Sequence, residues 1–183
     1  MKRAGFTLVE LLVVLGLIAV ITAIAVLAMP GSIRTSKADS AMTTVIAELR
    51  RAREMAVSER RDMEVRFVNN NEIRILRLEV PSGSATLVRS TLLEGGFRFV
   101  VFSDVPDTPD GFGKTAAVSF GSSTTYIFRT EATFTDNNAN LDPISGTIFI
   151  GLTGQSSTAR AATIFGPSAL VRGYRWDGRS WIE

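Results

Sequence analysis

From Phe6 to Met29 the chain runs for twenty-four residues with one charge, Glu10, and with Thr7, Gly16 and Thr22 as its polar or small interruptions. Wound as a helix at about 1.5 Å per residue, such a run covers about 36 Å, enough for a bilayer core of about 30 Å. A soluble helix is rarely so long and apolar on every face. The expectation is therefore a single membrane helix. Lys2 and Arg3 precede the run and no basic residue follows until Arg34. That asymmetry puts the N-terminus in the cytoplasm and the remainder across the membrane. In a bacterial envelope this means an inner-membrane anchor with a periplasmic head.

A secretory signal would have an apolar region of only about 7–15 residues, followed by a small-x-small cleavage site. Ala23-Ile24-Ala25 has that form, yet it lies inside the run. A plain signal anchor fits the length but gives no reason for Glu10. On insertion scales an ionised carboxylate at the centre of a membrane helix costs about 2.5–3.5 kcal/mol, and less near the interface. Glu10 therefore calls for a cationic partner.

Gly5-Phe6-Thr7-Leu8-Val9-Glu10, set ahead of the apolar run, resembles the class III leader of type IV pilins and type II secretion pseudopilins. The resemblance implies a membrane peptidase that cuts after Gly5 and methylates the new N-terminal Phe6. It also implies that Glu10 pairs with the α-amine of a neighbouring subunit during assembly. The chemistry is coherent, because glycine presents an uncluttered backbone for cleavage and the new amine supplies the cation that a buried carboxylate needs. On this reading residues 1–5 are a leader, 6–29 a transmembrane and assembly helix, 30–61 an amphipathic helix and 62–183 a periplasmic head.

Pro30-Gly31 should kink, melt or end the apolar helix, since proline inside a helix costs about 3 kcal/mol. Beyond it, Ala41, Met42, Val45, Ile46, Leu49, Ala52 and Ala56 recur at helical spacing, which predicts an amphipathic helix from about Ser32 to Arg61. Glu54 and Arg50 are spaced for an ion pair. Arg50–Arg53 is either a nucleic-acid patch or a solvated face; interleaved acids favour the solvated face. After Arg61 the period becomes alternating. A hairpin is predicted from Met63–Val68 and Glu72–Val80 across Asn69-Asn70-Asn71. Further strands are predicted at Ala85–Leu93, Phe97–Phe102, Ala116–Phe120, Tyr126–Arg129, Gly146–Leu152 and Ala162–Phe165. A second hairpin joins Leu170–Trp176 to Ser180–Ile182 across Asp177-Gly178. One long helix followed only by strands implies an α+β head, the helix packed on antiparallel sheet. The helix end Arg53-Glu54-Met55-Ala56-Val57, the string Gly146-Thr147-Ile148 and a late arginine-rich strand are similar to the GspH/FimT group. These are the H-type minor pseudopilins of type II secretion and related minor fimbrial pilins.

The chain contains neither Cys nor His. It therefore has no thiol nucleophile, no thiolate metal site and no Ser-His-Asp relay. Gly111-Phe112-Gly113-Lys114 lacks the spacing of a phosphate loop. No enzyme activity and no cofactor are expected. Asp136, Asn138, Asn140 and Asp142 set oxygen side chains at alternate positions, as calcium loops do. Leu141 stands where glycine is usual and Thr147 where a bidentate acid belongs, so a solvated Asx-rich loop is the expectation.

The tract Arg172, Tyr174, Arg175, Trp176, Arg179 and Trp181 interleaves cations with aromatics. Two readings stand: a contact for DNA or a protein partner, or an edge hairpin whose rings cover the core while the arginines snorkel. Some FimT-like pilins take up DNA through a Gly-Arg-x-Arg element. Gly173-Tyr174-Arg175 and Gly178-Arg179-Ser180 do not reproduce it. The net charge of +2, from 20 basic and 18 acidic residues, is supplied by Lys2 and Arg3 alone. Beyond the leader the side chains balance. The resemblance implies a minor pseudopilin of a type II secretion system, or alternatively a FimT-like minor type IV pilin in pilus biogenesis or DNA uptake. Its implied partners are other pilin or pseudopilin subunits, the prepilin peptidase and the inner membrane, with secreted cargo and DNA as further candidates.

Overall fold

The structure, a computed structural model, describes residues 7–121, 125–137 and 141–183, with the segment 25–32 described by its backbone alone. The chain divides into two compact units, residues 1–36 and 37–183. A single helix, α1 (Leu8–Glu59), contributes to both. It continues through Pro30 and Gly31, so of the outcomes the sequence led us to expect there, a melted stretch and a boundary are not realised. Proline deletes only one backbone bond, and the turns on either side keep theirs. At the other end Arg60 adopts a left-handed conformation, φ 53°, and the Arg61 amide donates to the Ala56 carbonyl. That six-to-one bond is a Schellman closure, with arginine where glycine is usual. It ends the helix just short of the expected Arg61.

Within the second unit the apolar stripe of α1 faces the core as its spacing predicts. Ala38, Ala41, Val45, Leu49, Ala52 and Ala56 are buried, with Met42 and Ile46 packed alongside. They meet two antiparallel sheets. The first is ordered β3 (Ala85–Leu92), β2 (Glu72–Leu78), β1 (Met63–Val68), β6 (Tyr126–Phe128) and β7 (Phe134–Thr135). The second is ordered β11 (Trp181–Ile182), β10 (Leu170–Trp176), β9 (Gln155–Phe165), β8 (Gly146–Leu152) and β4 (Arg98–Phe99), with β5 (Val118–Ser119) also on β8. The expected hairpin β1–β2 forms, and its Asn69 and Asn70 both take positive φ, which asparagine tolerates best after glycine. Sequence reading missed β7 and the first half of β9, whose Ser156–Thr158 lacks apolar alternation. It also made β4 and β5 too long, because only two residues of each stay in register with β8.

Gly173 lets the helix approach β10 closely: a Cβ there would lie 2.6 Å from the Ile46 Cδ1 atom. Because that atom ends a flexible side chain, Gly173→Ala is expected to destabilise by only about 1 kcal/mol. Chemical denaturation of the full chain in detergent would check this value. The opposite face of the second sheet is covered by the excursion between β4 and β5. There Phe102 and Val105 pack with Ala159 and Trp176, while Phe149, Ala161 and Tyr174 form a second small cluster. The Lys114 ammonium ties the excursion by donating to the carbonyls of Phe102 (2.9 Å) and Val105.

Candidate assembly and partner surfaces

At the start of α1, Thr7 stands at the N-cap. Its hydroxyl accepts from the Glu10 amide at 3.2 Å, and its carbonyl accepts from the Leu11 amide at 3.2 Å. Thr-x-x-Glu is the capping-box sequence, and its threonine half is formed here, satisfying an amide that would otherwise be orphaned. Glu10 thus occupies the third helical position, where the positive end of the helix dipole favours a carboxylate. Sequence analysis tied Glu10 to assembly alone and overlooked the cap, although its spacing is legible in Thr7-Leu8-Val9-Glu10. Gly5 and Phe6, expected from the sequence as the processing residues, lie outside the described residues. Every side chain from Thr7 to Ile24 is exposed. Among the described residues no helix is long and apolar enough to cross a membrane; in the sequence the apolar run continues beyond Ile24 to Met29.

The C-terminal tract is split by the pleat of β10. Tyr174 and Trp176 are buried on the excursion side of the sheet, and Trp181 closes over them while donating from Nε1 to the Pro106 carbonyl at 3.0 Å. Their rings fill the space beneath the excursion, so they present no open face on which a base could stack. Arg172 lies on the same side and pairs with Asp110 at 3.0 Å. The Tyr174 hydroxyl and then the Asp110 carboxylate raise its guanidinium above the ordinary range, while burial pushes the Tyr174 phenol up. Arg175 and Arg179 are exposed. Asp110 also accepts from the Thr163 hydroxyl at 2.6 Å, and Asp107 accepts from the amides of Thr108 and Gly113. Asp107 and Asp110 therefore hold the excursion together and against the sheet.

The β10–β11 turn is built by Asp177. Its Oδ1 accepts from the amides of Arg179 and Ser180, both at 2.7 Å, and Gly178 takes the positive φ that the turn requires. Those donors, Ser180 first, hold the Asp177 carboxyl below the usual aspartate range. A depressed folded pKa stabilises the turn above the ordinary value near 3.8, and the contribution is lost as pH falls through the folded pKa. Protection of the Arg179 and Ser180 amides, measured relative to their intrinsic exchange rates, should therefore fall on acidification below about pH 4. Asp177→Asn should remove that pH step.

The calcium candidates are divided by what the structure describes. Asp136 is buried beside β7 and Asp142 is exposed, while Asn138 and Asn140 lie outside the described residues. Among the described residues no group of three or more acids could hold a metal. A bridge between Thr135 and Pro143 closes the tract at its base.

Several polar contacts had no sequence signal. Arg160, in β9, is fully buried, and its Nε donates to Asp39 Oδ1 at 2.6 Å across a separation of 121 residues. Glu48 is buried under Arg89 of β3 at 2.9 Å. Arg50 forms no ion pair with Glu54 among the described residues; its guanidinium donates instead to the Val171 carbonyl at 3.2 Å. Helix position alone allowed the Glu54 pair, but the sheet offers Arg50 a closer acceptor.

A model of the prokaryotic N-terminal methylation motif matches residues 1–26. Among solved structures the chain is similar to the type IV minor pilin FimU of Pseudomonas aeruginosa. Identity is 18%, the match covers 75% of this chain and 87% of that one, and the TM-score is 0.51. It is also similar to EpsH, the minor pseudopilin of the type 2 secretion system of Vibrio cholerae. There the identity is 14%, coverage is 75% and 95%, and the TM-score is 0.48. No curated protein matches the chain in sequence.

Proposed function

We propose that this chain, whose N-terminal motif and α+β fold are those of the type IV pilin and pseudopilin superfamily, works as a minor pseudopilin of a type II secretion system. The observation that carries the reading is the join itself. Gly5–Glu10 and the apolar run as far as Val26 lie inside the matched methylation motif, on a chain whose head packs a helix against antiparallel sheet. The precursor inserts through residues 6–29 with its head in the periplasm. Peptidase cleavage after Gly5 exposes Phe6 for methylation, and the mature subunit enters a short filament through its apolar helix and Glu10. The work is mechanical, the head meeting other subunits and, in secretion, cargo.

A second reading, a minor type IV pilin, is favoured by the likeness of the fold to FimU. Within it, DNA uptake through the C-terminal hairpin has less support, because Tyr174 and Trp176 are buried and Arg172 is engaged by Asp110. Two measurements test the proposal. The mass of the chain recovered from membranes should correspond to a methylated Phe6 start; an intact Met1 start would refute the processing step. Deletion should stop exoprotein export while leaving piliation and DNA uptake intact, and the converse would assign the subunit to a pilus.

A further inference from the structure

The C-terminal third of α1 holds cations that the fold leaves unsatisfied. Arg53 lines two adjoining clefts, one bordered by Val57 and Ala132, the other by Arg50, Ser168 and Leu170. Its Nε is buried and has no hydrogen-bond partner among the described residues. Arg50 spends one Nη on the Val171 carbonyl and has no carboxylate within ion-pairing distance among the described residues. Glu54 lines both clefts, yet it pairs with neither arginine. A buried donor left without an acceptor costs about 1–3 kcal/mol, and more when the group is charged. Guanidinium donors are fixed in a planar fork that matches a carboxylate with two parallel bonds.

From this geometry we infer that Arg50 and Arg53 form a binding site for a carboxylate side chain on a protein partner. For a carboxylate to take Nε and one Nη together, the Arg53 guanidinium has to turn its buried Nε toward the cleft. Two arginines and Glu54 sum to one positive charge, which suits a monoanion better than the dianion of phosphate. The flanks define the rest of the occupant. Val57 and Leu170, each about half exposed at 47% and 48%, border the two clefts that share Arg53. The fitting segment therefore carries an acid between two apolar side chains. A nucleic-acid backbone has no such apolar neighbours.

The test uses the full chain in detergent micelles, nitrogen-15 labelled, with the Arg53 Nε–H resonance as the readout. N-acetyl-Leu-Glu-Leu-amide is the probe. It should shift that resonance saturably, while the Leu-Gln-Leu counterpart binds at least tenfold more weakly. Arg50→Gln should lower affinity for the glutamate peptide at least tenfold while the chain stays folded. If this variant loses its fold, the two peptides on the unaltered chain still decide. Absence of a saturable shift, equal response to both peptides, or tighter binding of inorganic phosphate or single-stranded DNA would overturn the inference. Because binding is read on the unassembled chain, failure here leaves the assembly proposal standing.

Discussion

Glu10→Val is expected to leave membrane insertion intact and to reduce incorporation into filaments by at least a hundredfold. Insertion becomes easier, since valine removes a charge that costs up to about 2.5–3.5 kcal/mol in a membrane helix. Assembly suffers because the neighbour's α-amine then enters an apolar surrounding without a counter-charge. Stranding one member of a buried ion pair costs about 3–5 kcal/mol, which is a factor of a hundred or more. The cap at Thr7 supplies the control. Glutamine at the third helical position can serve in a capping box as glutamate does, but it carries no charge. Glu10→Gln should therefore fail like valine if charge pairing is the function. Normal incorporation of the glutamine variant would show that the charge at position 10 is dispensable and refute the pairing. Sheared-filament fractions probed for the subunit, against total membrane content, provide the measurement.

Asp39→Ala should be among the most destabilising single changes in the head. It takes from the fully buried Arg160 guanidinium the carboxylate that accepts from its Nε at 2.6 Å. Asp39 is itself 39% exposed, so water already weakens the pair. The lower end of the range for breaking a buried pair, about 3 kcal/mol, is the expected cost. Arg160→Met, which removes the cation and fills its volume, should cost far less. The double variant should recover most of the loss from Asp39→Ala. Denaturant unfolding of the full chain in detergent, followed by Trp176 and Trp181 fluorescence, gives the three values. Additive losses in the double variant would show that the two side chains do not depend on each other.

Much of the architecture could be read before any coordinates. The stripe from Ala41 to Ala56 turned inward as its 3.6-residue spacing requires, and the Asn69–Asn71 and Asp177-Gly178 turns closed their hairpins. These features are local. Periodicity and turn chemistry act between residues a few positions apart, so the sequence carries them directly. Strand limits were less legible where pairing rather than propensity decides. β4 and β5 share one edge of β8, and neither can extend into the other's place.

The interaction surfaces divide along the same line. An apolar run with one acid, a glycine directly before it and two cations ahead of them are written in the residues from Lys2 to Met29. The sequence by itself determined that signal, together with the alternation that makes the head β-rich. Only the tertiary structure decided which side of the late arginine–aromatic tract is buried, because an aromatic residue in a strand reads alike whether it covers a core or faces solvent. The excursion held by Lys114 took Tyr174 and Trp176 out of solvent. In the same way, nothing near Arg160 in the chain indicates Asp39, and nothing near Arg53 shows that its Nε goes without an acceptor. Desolvation and hydrogen-bond satisfaction depend on what the folded chain brings alongside a group, and those neighbours come from 40 to more than 100 positions away.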